Sequence, residues 1–343
     1  MDIYKNNKKY NSIQISETKV LIKNSFSDWV FENSFLIFKS FYGFNFLVYA
    51  TEQKSIIFYN LIHFQVISEI KEAHKEYITN FSHCFSKNLN MDIIMSTSKS
   101  DNNIKLWNVS NNNCVLNLSK VNANGILNSA CFLNYKNNNY ILTSNRNWVD
   151  PEPLKVYDLI NEKFSTIKNS NNNTFFVNSY YDNKNDITYI IAGNEGNVIS
   201  YNYNDNELYN TYCENFENNV FHQSFKIYED KNDLIIKLIE SSDGTSGIIR
   251  IWDFHNAELL GKFETYNNAL RCIEIFDEKY AFVGSGDKSI KLIDLENLKV
   301  INNLIGHINN VCSLKIIVHP IFGKCIISQG HNNETIRVWI LLK

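Results

Sequence analysis

The chain has 343 residues, a formal net charge of −3 and a sequence pI near 6.3. Apolar residues make up 44%, including 23 Phe and 19 Tyr, which is enough for a large core. That charge balance argues against a general nucleic-acid binder, which would show a basic stripe. No apolar run approaches the roughly 18 residues of a membrane span, and MDIYKNNKKY at the start has no apolar leader segment.

Residues 1–9 read as a polar tail and residues 10–343 as one domain. A strand-like stretch, 12–22, precedes seven units of similar length, at 29–70, 78–119, 127–167, 175–212, 220–263, 270–304 and 311–341. Each unit reads as short strands rich in β-branched and aromatic residues, separated by turn signals. The second unit holds the clearest copy of a recurring stretch, SDNNIKLWNV at 100–109. It returns as SGIIRIWDF at 246–254, DKSIKLIDL at 287–295 and NETIRVWIL at 333–341. Weaker copies are KSIIFYNL, PLKVYDL and GNVISYNY. The marker residues are Tyr59, Trp107, Tyr157, Tyr201, Trp252, Ile293 and Trp339, spaced 48, 50, 44, 51, 41 and 46 apart. A period of this length signals stacked supersecondary units, none of which can bury its faces alone.

Asn runs such as 111–113 and 137–139 fall where turns are expected, and Asn tolerates the left-handed turn conformation. The seven Cys are odd in number and form no C-x-x-C pair, which suits a reducing compartment better than a disulfide framework. The eight His are scattered without metal-ligand spacing, and no phosphate-binding glycine motif or nucleophile elbow occurs. Gly284 to Asp287 reads as a tight turn rather than a phosphate cradle. No metal and no cofactor is expected.

With these copies the chain resembles the WD-repeat family. The resemblance covers nearly the whole chain and is strongest in the second, fifth, sixth and seventh copies. Only Trp252-Asp253 is a literal Trp-Asp pair. The resemblance implies an all-β, seven-bladed β-propeller. The chain stops after the third strand of the last copy, so the N-terminal strand is expected to complete that blade and close the ring. It also implies that His74, Thr97, Asp101 and Trp107 form a structural hydrogen-bonded tetrad and carry no catalysis.

In the family, the loops entering each first strand and those joining second to third strands line the top face, where partner peptides dock. Here those loops hold Trp29, Tyr77, Arg146, Trp148, Asp150, His222, Asp243 and Arg271. The third unit inserts SNRNWVDPEP between its second and third strands, an aromatic beside Arg and Asp, as binding hot spots are composed. The expected function is a non-enzymatic protein-protein interaction scaffold, cytoplasmic or nuclear, a monomeric propeller within a complex and bound to a protein or peptide on its top face. The alternative is a substrate-recruiting subunit of a larger complex such as a ubiquitin ligase. Trp252-Asp253 is followed by Phe254-His255, so the basic residue two places on that serves one such adaptor is missing. A propeller enzyme would need converging carboxylates or a metal site at the channel mouth; Asp101, Asp243 and Asp287 point there, but Asp101 and Asp287 read as turn residues, so an enzyme or small-ligand binder is the less expected reading.

Overall fold

A computed structural model describes residues 8–10, 13–22, 34–41, 43, 45–98, 100–119, 121, 127–145, 153–170, 173–214, 220–222, 224–231, 234–242, 247–265, 269–331 and 336–342. Blade 1 comprises β3 (Phe35–Lys39), β4 (Asn45–Ala50), β5 (Ile56–Asn60) and β6 (Gln65–Ile70), and blade 2 comprises β7 (Ile78–Ser86), β8 (Met91–Ser98), β9 (Asn103–Asn108) and β10 (Cys114–Ser119). Blade 3 comprises β11 (Leu127–Tyr135), β12 (Asn138–Asn145), β13 (Leu154–Asp158) and β14 (Lys163–Thr166). Blade 4 comprises β15 (Thr174–Asp182), β16 (Ile187–Asn194), β17 (Val198–Asn202) and β18 (Glu207–Tyr212). Blade 5 comprises β19 (Ser224–Asp230), β20 (Ile235–Ser241), β21 (Ile248–Asp253) and β22 (Leu259–Glu264). Blade 6 comprises β23 (Leu270–Ile275), β24 (Tyr280–Ser285), β25 (Ser289–Asp294) and β26 (Lys299–Ile305). Blade 7 comprises β27 (Val311–His319), β28 (Gly323–Gly330) and β29 (Ile336–Leu342). All pairings are antiparallel between strands adjacent in each blade. The protein is a seven-bladed β-propeller.

Blade 7 takes its fourth strand from the N-terminal side. Strand β2 (Ile13–Ile22) pairs with β29, Ser16 opposite Ile340 and Val20 opposite Arg337. This covers what would be an open sheet edge. A fifth strand, β1 (Lys8–Tyr10), then pairs with β2, so part of the stretch expected as a polar tail is built into the sheet.

Among the described residues the core is seven apolar clusters, one between each pair of neighbouring blades, including blades 7 and 1. The marker residue of each blade always faces the preceding blade. Trp107 packs with Phe38, Val48 and Phe58 of blade 1, Trp252 with Tyr189 and Val198 of blade 4, and Trp339 with Phe282 and Leu292 of blade 6. Truncating a buried Trp of this kind to Ala typically costs about 3–5 kcal/mol. The repeat period is therefore the period at which one blade is sealed onto the next.

The residue after the marker has a different task. Asn60, Asp158, Asp253 and Asp294 each accept backbone N–H groups two and three residues on, and Asn108 and Asn202 accept the one two residues on. These Asx turns close the third-to-fourth-strand connection. Four residues after each marker partner the backbone turns left-handed, at Phe64, Asn112, Glu162, Asn206, Ala257 and Leu298, with φ between 50° and 61°. One turn geometry thus recurs in six blades. The chain uses Asn, Ala and even bulky residues where Gly would adopt it most readily.

Candidate interaction surface

The connections between blades and those joining second to third strands form the top face. Five of the residues expected to carry it, Trp29, Arg146, Trp148, Asp150 and Asp243, lie outside the described residues. Tyr77 sits half-buried just before β7, with the Lys54 ammonium 5.7 Å from its ring centre. Arg271 is half-buried near the top end of β23. Tyr77 and Arg271 therefore stand at the inner strands of blades 2 and 6 and do not form one cluster.

His222 is not a surface residue. It is 3% exposed, and its Nδ1 lies 2.8 Å from Glu240 Oε2. The loop carrying it is pulled inward by two backbone hydrogen bonds: His222 N–H donates to Asn194 and Gly196 N–H to Val220. A bridge between Glu195 and Phe221 adds to them. Strand β16 permits this approach because residue 193 is Gly; a Cβ there would collide with the His222 carbonyl.

The expected tetrad is present with one member changed. His74 Nε2 lies 2.8 Å from Ser96 Oγ, and Trp107 Nε1–H donates to the same oxygen at 2.8 Å. His74 Nδ1 faces Asp101 Oδ2 at 3.8 Å, and the Lys75 N–H donates to that carboxylate. The bridging hydroxyl is Ser96 and not Thr97. Successive strand residues point to opposite faces, so a slip of one position exchanges them. Thr97 is buried, and its Oγ1 has no hydrogen-bond partner. Blade 7 repeats the network: His307 Nε2 is 2.6 Å from Ser328 Oγ, to which Trp339 Nε1–H donates at 2.8 Å. Burial lowers the His74 pKa from its ordinary value, which holds the ring neutral at pH 7. Burial alone would raise Asp101, but its contact with His74 and the Lys75 N–H keep it below the usual carboxylate range. Asp287 also serves locally, accepting from Ser289 and Lys291 in its own blade.

Blade 5 departs from this pattern. The position of Ser96 is taken by Glu240, which lies opposite Arg250 in the sheet as Ser96 lies opposite Lys105. Glu240 is 1% and Arg250 3% exposed. Arg250 Nη1–H donates to Glu240 Oε1 at 3.2 Å, and Arg250 Nε and Lys262 Nζ both reach Glu214. Burial would raise the Glu240 carboxyl, yet His222 and Arg250 together hold it below its ordinary value. Trp252, the marker of this blade, has a buried Nε1–H with no partner, and His222 Nε2 is also without one. The sequence signals for this network are Glu240 at the end of LIIKLIE, where the second strands of the other blades carry a small or apolar residue, and a cation two residues before the marker. The same cation position holds Lys105, Lys155, Lys291 and Arg337.

Among the described residues, the large exposed apolar side chains of the top face lie between blades 6 and 7. Ile305 at the end of β26 is 80% exposed and Ile308 67%. They flank Gly306-His307, which the Ser328 hydrogen bond anchors. Among the described residues, no three His, Cys, Asp or Glu side chains group as metal ligands, and no helix is long and apolar enough to cross a membrane. No family model matches the chain.

Proposed function

We propose that the chain is a non-enzymatic scaffold of the WD-repeat type that binds a protein or peptide partner on its top face, in the cytoplasm or nucleus. The observation that carries the reading is the pair Ile305 and Ile308, held open to solvent on either side of an anchored turn. Exposed apolar side chains on a rigid frame mark protein contact sites, because their burial needs little further ordering of the chain. The tetrad residues have structural partners, which supports reading their imidazole, hydroxyl and carboxylate as architecture. The described cysteines are all free thiols, in keeping with a reducing compartment.

The test is crosslinking capture from the native cell with the wild type, an Ile305→Asp/Ile308→Asp variant and an Arg146→Ala/Trp148→Ala variant. Each variant is first shown to melt like the wild type. A defined partner lost in either variant supports the top-face reading. The same partners recovered with all three proteins would remove it.

A further inference from the structure

The opposite face is formed by the turns joining first to second and third to fourth strands. Its charge is divided between two halves. In blades 7, 1 and 2 these turns, 318–324, 39–45, 60–65, 86–91 and 108–114, contain three lysines and no Asp or Glu. In blades 4, 5 and 6 the corresponding turns, 182–186, 202–207, 229–235, 253–258, 276–280 and 294–299, contain thirteen Asp or Glu and four lysines.

The basic half also carries most of the exposed apolar side chains of these turns, against Leu234 in the acidic half. Phe41, Leu89, Val318 and Ile321 are 64%, 59%, 74% and 66% exposed. Contacts across the blades tie their turns together. Phe41 stacks on Phe85 with ring centres 4.3 Å apart, and its N–H donates to the buried Asp92 of blade 2. His319 Nε2 lies 2.9 Å from the Leu61 carbonyl oxygen, joining blade 7 to blade 1. His319 also stacks on Phe64 and on Phe322, which touch each other with ring centres 6.0 Å apart. Between these two blades opens a cleft of about 210 Å³ whose walls include Ile37, Leu61, Ile317 and Val318, with Lys39 at its edge. The volume and the wall suit one apolar side chain of a bound segment.

We infer that this half-face is a second docking surface, for an extended peptide segment that carries acidic side chains beside large apolar ones. An apolar side chain enters the cleft between blades 7 and 1. The neighbouring carboxylates meet Lys39, Lys87 and Lys324, with no carboxylate of these turns to oppose them. The acidic half repels the same peptide and fixes where on the disc it lies, a use of like charge that gives position more than affinity. A flat anionic membrane fits less well. A membrane laid on this face would also meet exposed carboxylates of blades 4 to 6, among them Asp186, Glu207, Glu258 and Asp277.

The experiment is selection of a randomised twelve-residue peptide library on the full chain, followed by titration of a synthetic peptide from the enriched pool. The expected pool is rich in Asp or Glu next to Leu, Ile, Phe or Trp. Its affinity should fall at least about tenfold in Val318→Asp/Ile321→Asp and in Lys39→Glu/Lys87→Glu, as loss of a central anchor or of a complementary charge does. It should be unchanged in Ile305→Asp/Ile308→Asp, which separates this site from the top-face proposal. No enrichment, a pool without acidic bias, or insensitivity to both bottom-face variants would overturn the inference. So would concentration-dependent dimers in sedimentation that the lysine variants abolish, since these would assign the surface to a second copy. Lysine-dependent binding to phosphatidylserine vesicles that matches the peptide affinity would overturn it in favour of a membrane.

Discussion

Blades 2 and 5 solve the same problem with opposite chemistry. Both must fix an imidazole that enters from the blade-to-blade connection above an indole on the third strand. Blade 2 uses a neutral hydroxyl, Ser96, which serves His74 and Trp107 together. Blade 5 uses a carboxylate, Glu240, which serves His222 and Arg250 and leaves the Trp252 N–H without a partner. The neutral solution satisfies the ring that seals the blade. The charged solution leaves that ring unsatisfied and ties in an outer layer through Glu214 and Lys262. Trimming one member of a neutral network leaves unpaired groups at a cost of about 1–3 kcal/mol, whereas breaking a buried ion pair costs more, about 3–5 kcal/mol.

The largest expected effect follows from that asymmetry. Glu240→Ala removes the buried carboxylate that Arg250 and His222 share, leaving Arg250 the exposed Glu214, and should lower stability by up to about 3–5 kcal/mol in denaturant unfolding. The double variant Glu240→Ser/Arg250→Lys transplants the blade 2 pattern and should lie well above the single variant, because the hydroxyl can take the Trp252 N–H and Lys replaces the fixed guanidinium. A double variant as unstable as Glu240→Ala would show that blade 5 cannot use the neutral solution at all.

Next in size is the hydroxyl of blade 2. Ser96→Ala leaves both the His74 and the Trp107 nitrogens unpartnered and should cost about 1–3 kcal/mol. Thr97→Val, one residue away, removes a hydroxyl that bonds to nothing and should change stability by less than about 1 kcal/mol. Equal losses in the two variants would mean that the bridging oxygen has been misassigned.

This pair of residues also shows where the sequence stops being legible. The repeat, the ring and its closure could be read because each blade repeats the marker that seals it onto its neighbour and the Asx turn that follows. Ser96 and Thr97 could not be separated in STS, since either hydroxyl satisfies the spacing and only the pleat decides which faces the His. Its place in a blade connection makes His222 a top-face candidate in the sequence; what buries it is the close approach allowed by Gly193 in another blade. Glu240 and Arg250 stand out as charges in mainly apolar strands, but so does Lys237, and which of them pair is a matter of register. Strand β1 has only three residues, too few for periodicity to declare. The division of the bottom face was countable from the turns, once the alternation of strands assigns each turn to a face.

The two networks should also part on acidification. The His74 and His83 pKa values are lowered by burial, so each ring is neutral in the fold while the unfolded chain takes up a proton below about pH 6.5. The unfolded state then binds more protons, and stability falls as pH drops below that value until the folded pKa is passed. Glu240 is also lowered, but as an acid: its contribution is present above about pH 4.5 and is lost as pH falls through its folded value. Unfolding free energies measured from pH 7.5 to 3.5 should therefore decline in two steps. His74→Gln should shrink the upper step, with His83 supplying the remainder, and Glu240→Ser/Arg250→Lys should shrink the lower, which Asp101, Glu274 and other lowered carboxylates share. A single decline, unaffected by His74→Gln, would separate the imidazole from the stability of blade 2.

The smallest expected effect lies in the turn that both blades share. Blade 2 places Asn112 at the left-handed position, with φ 61°, and blade 5 places Ala257 there, with φ 54°. In both, the N–H of that residue donates back to the marker partner, Asn108 or Asp253, so the turns are built alike. The side chain is the difference. Asn tolerates the left-handed region better than Ala, whose Cβ crowds the following carbonyl at a cost of about 1–2 kcal/mol. Ala257→Asn should therefore stabilise blade 5 by a few tenths of a kcal/mol and Asn112→Ala destabilise blade 2 by a similar amount, since the single turn is a small part of each blade. Ala257 packs partly against the cluster between blades 4 and 5. A loss rather than a gain for Ala257→Asn would mean that this apolar contact outweighs the backbone strain, and that blade 5 retains Ala at the turn for the sake of its core.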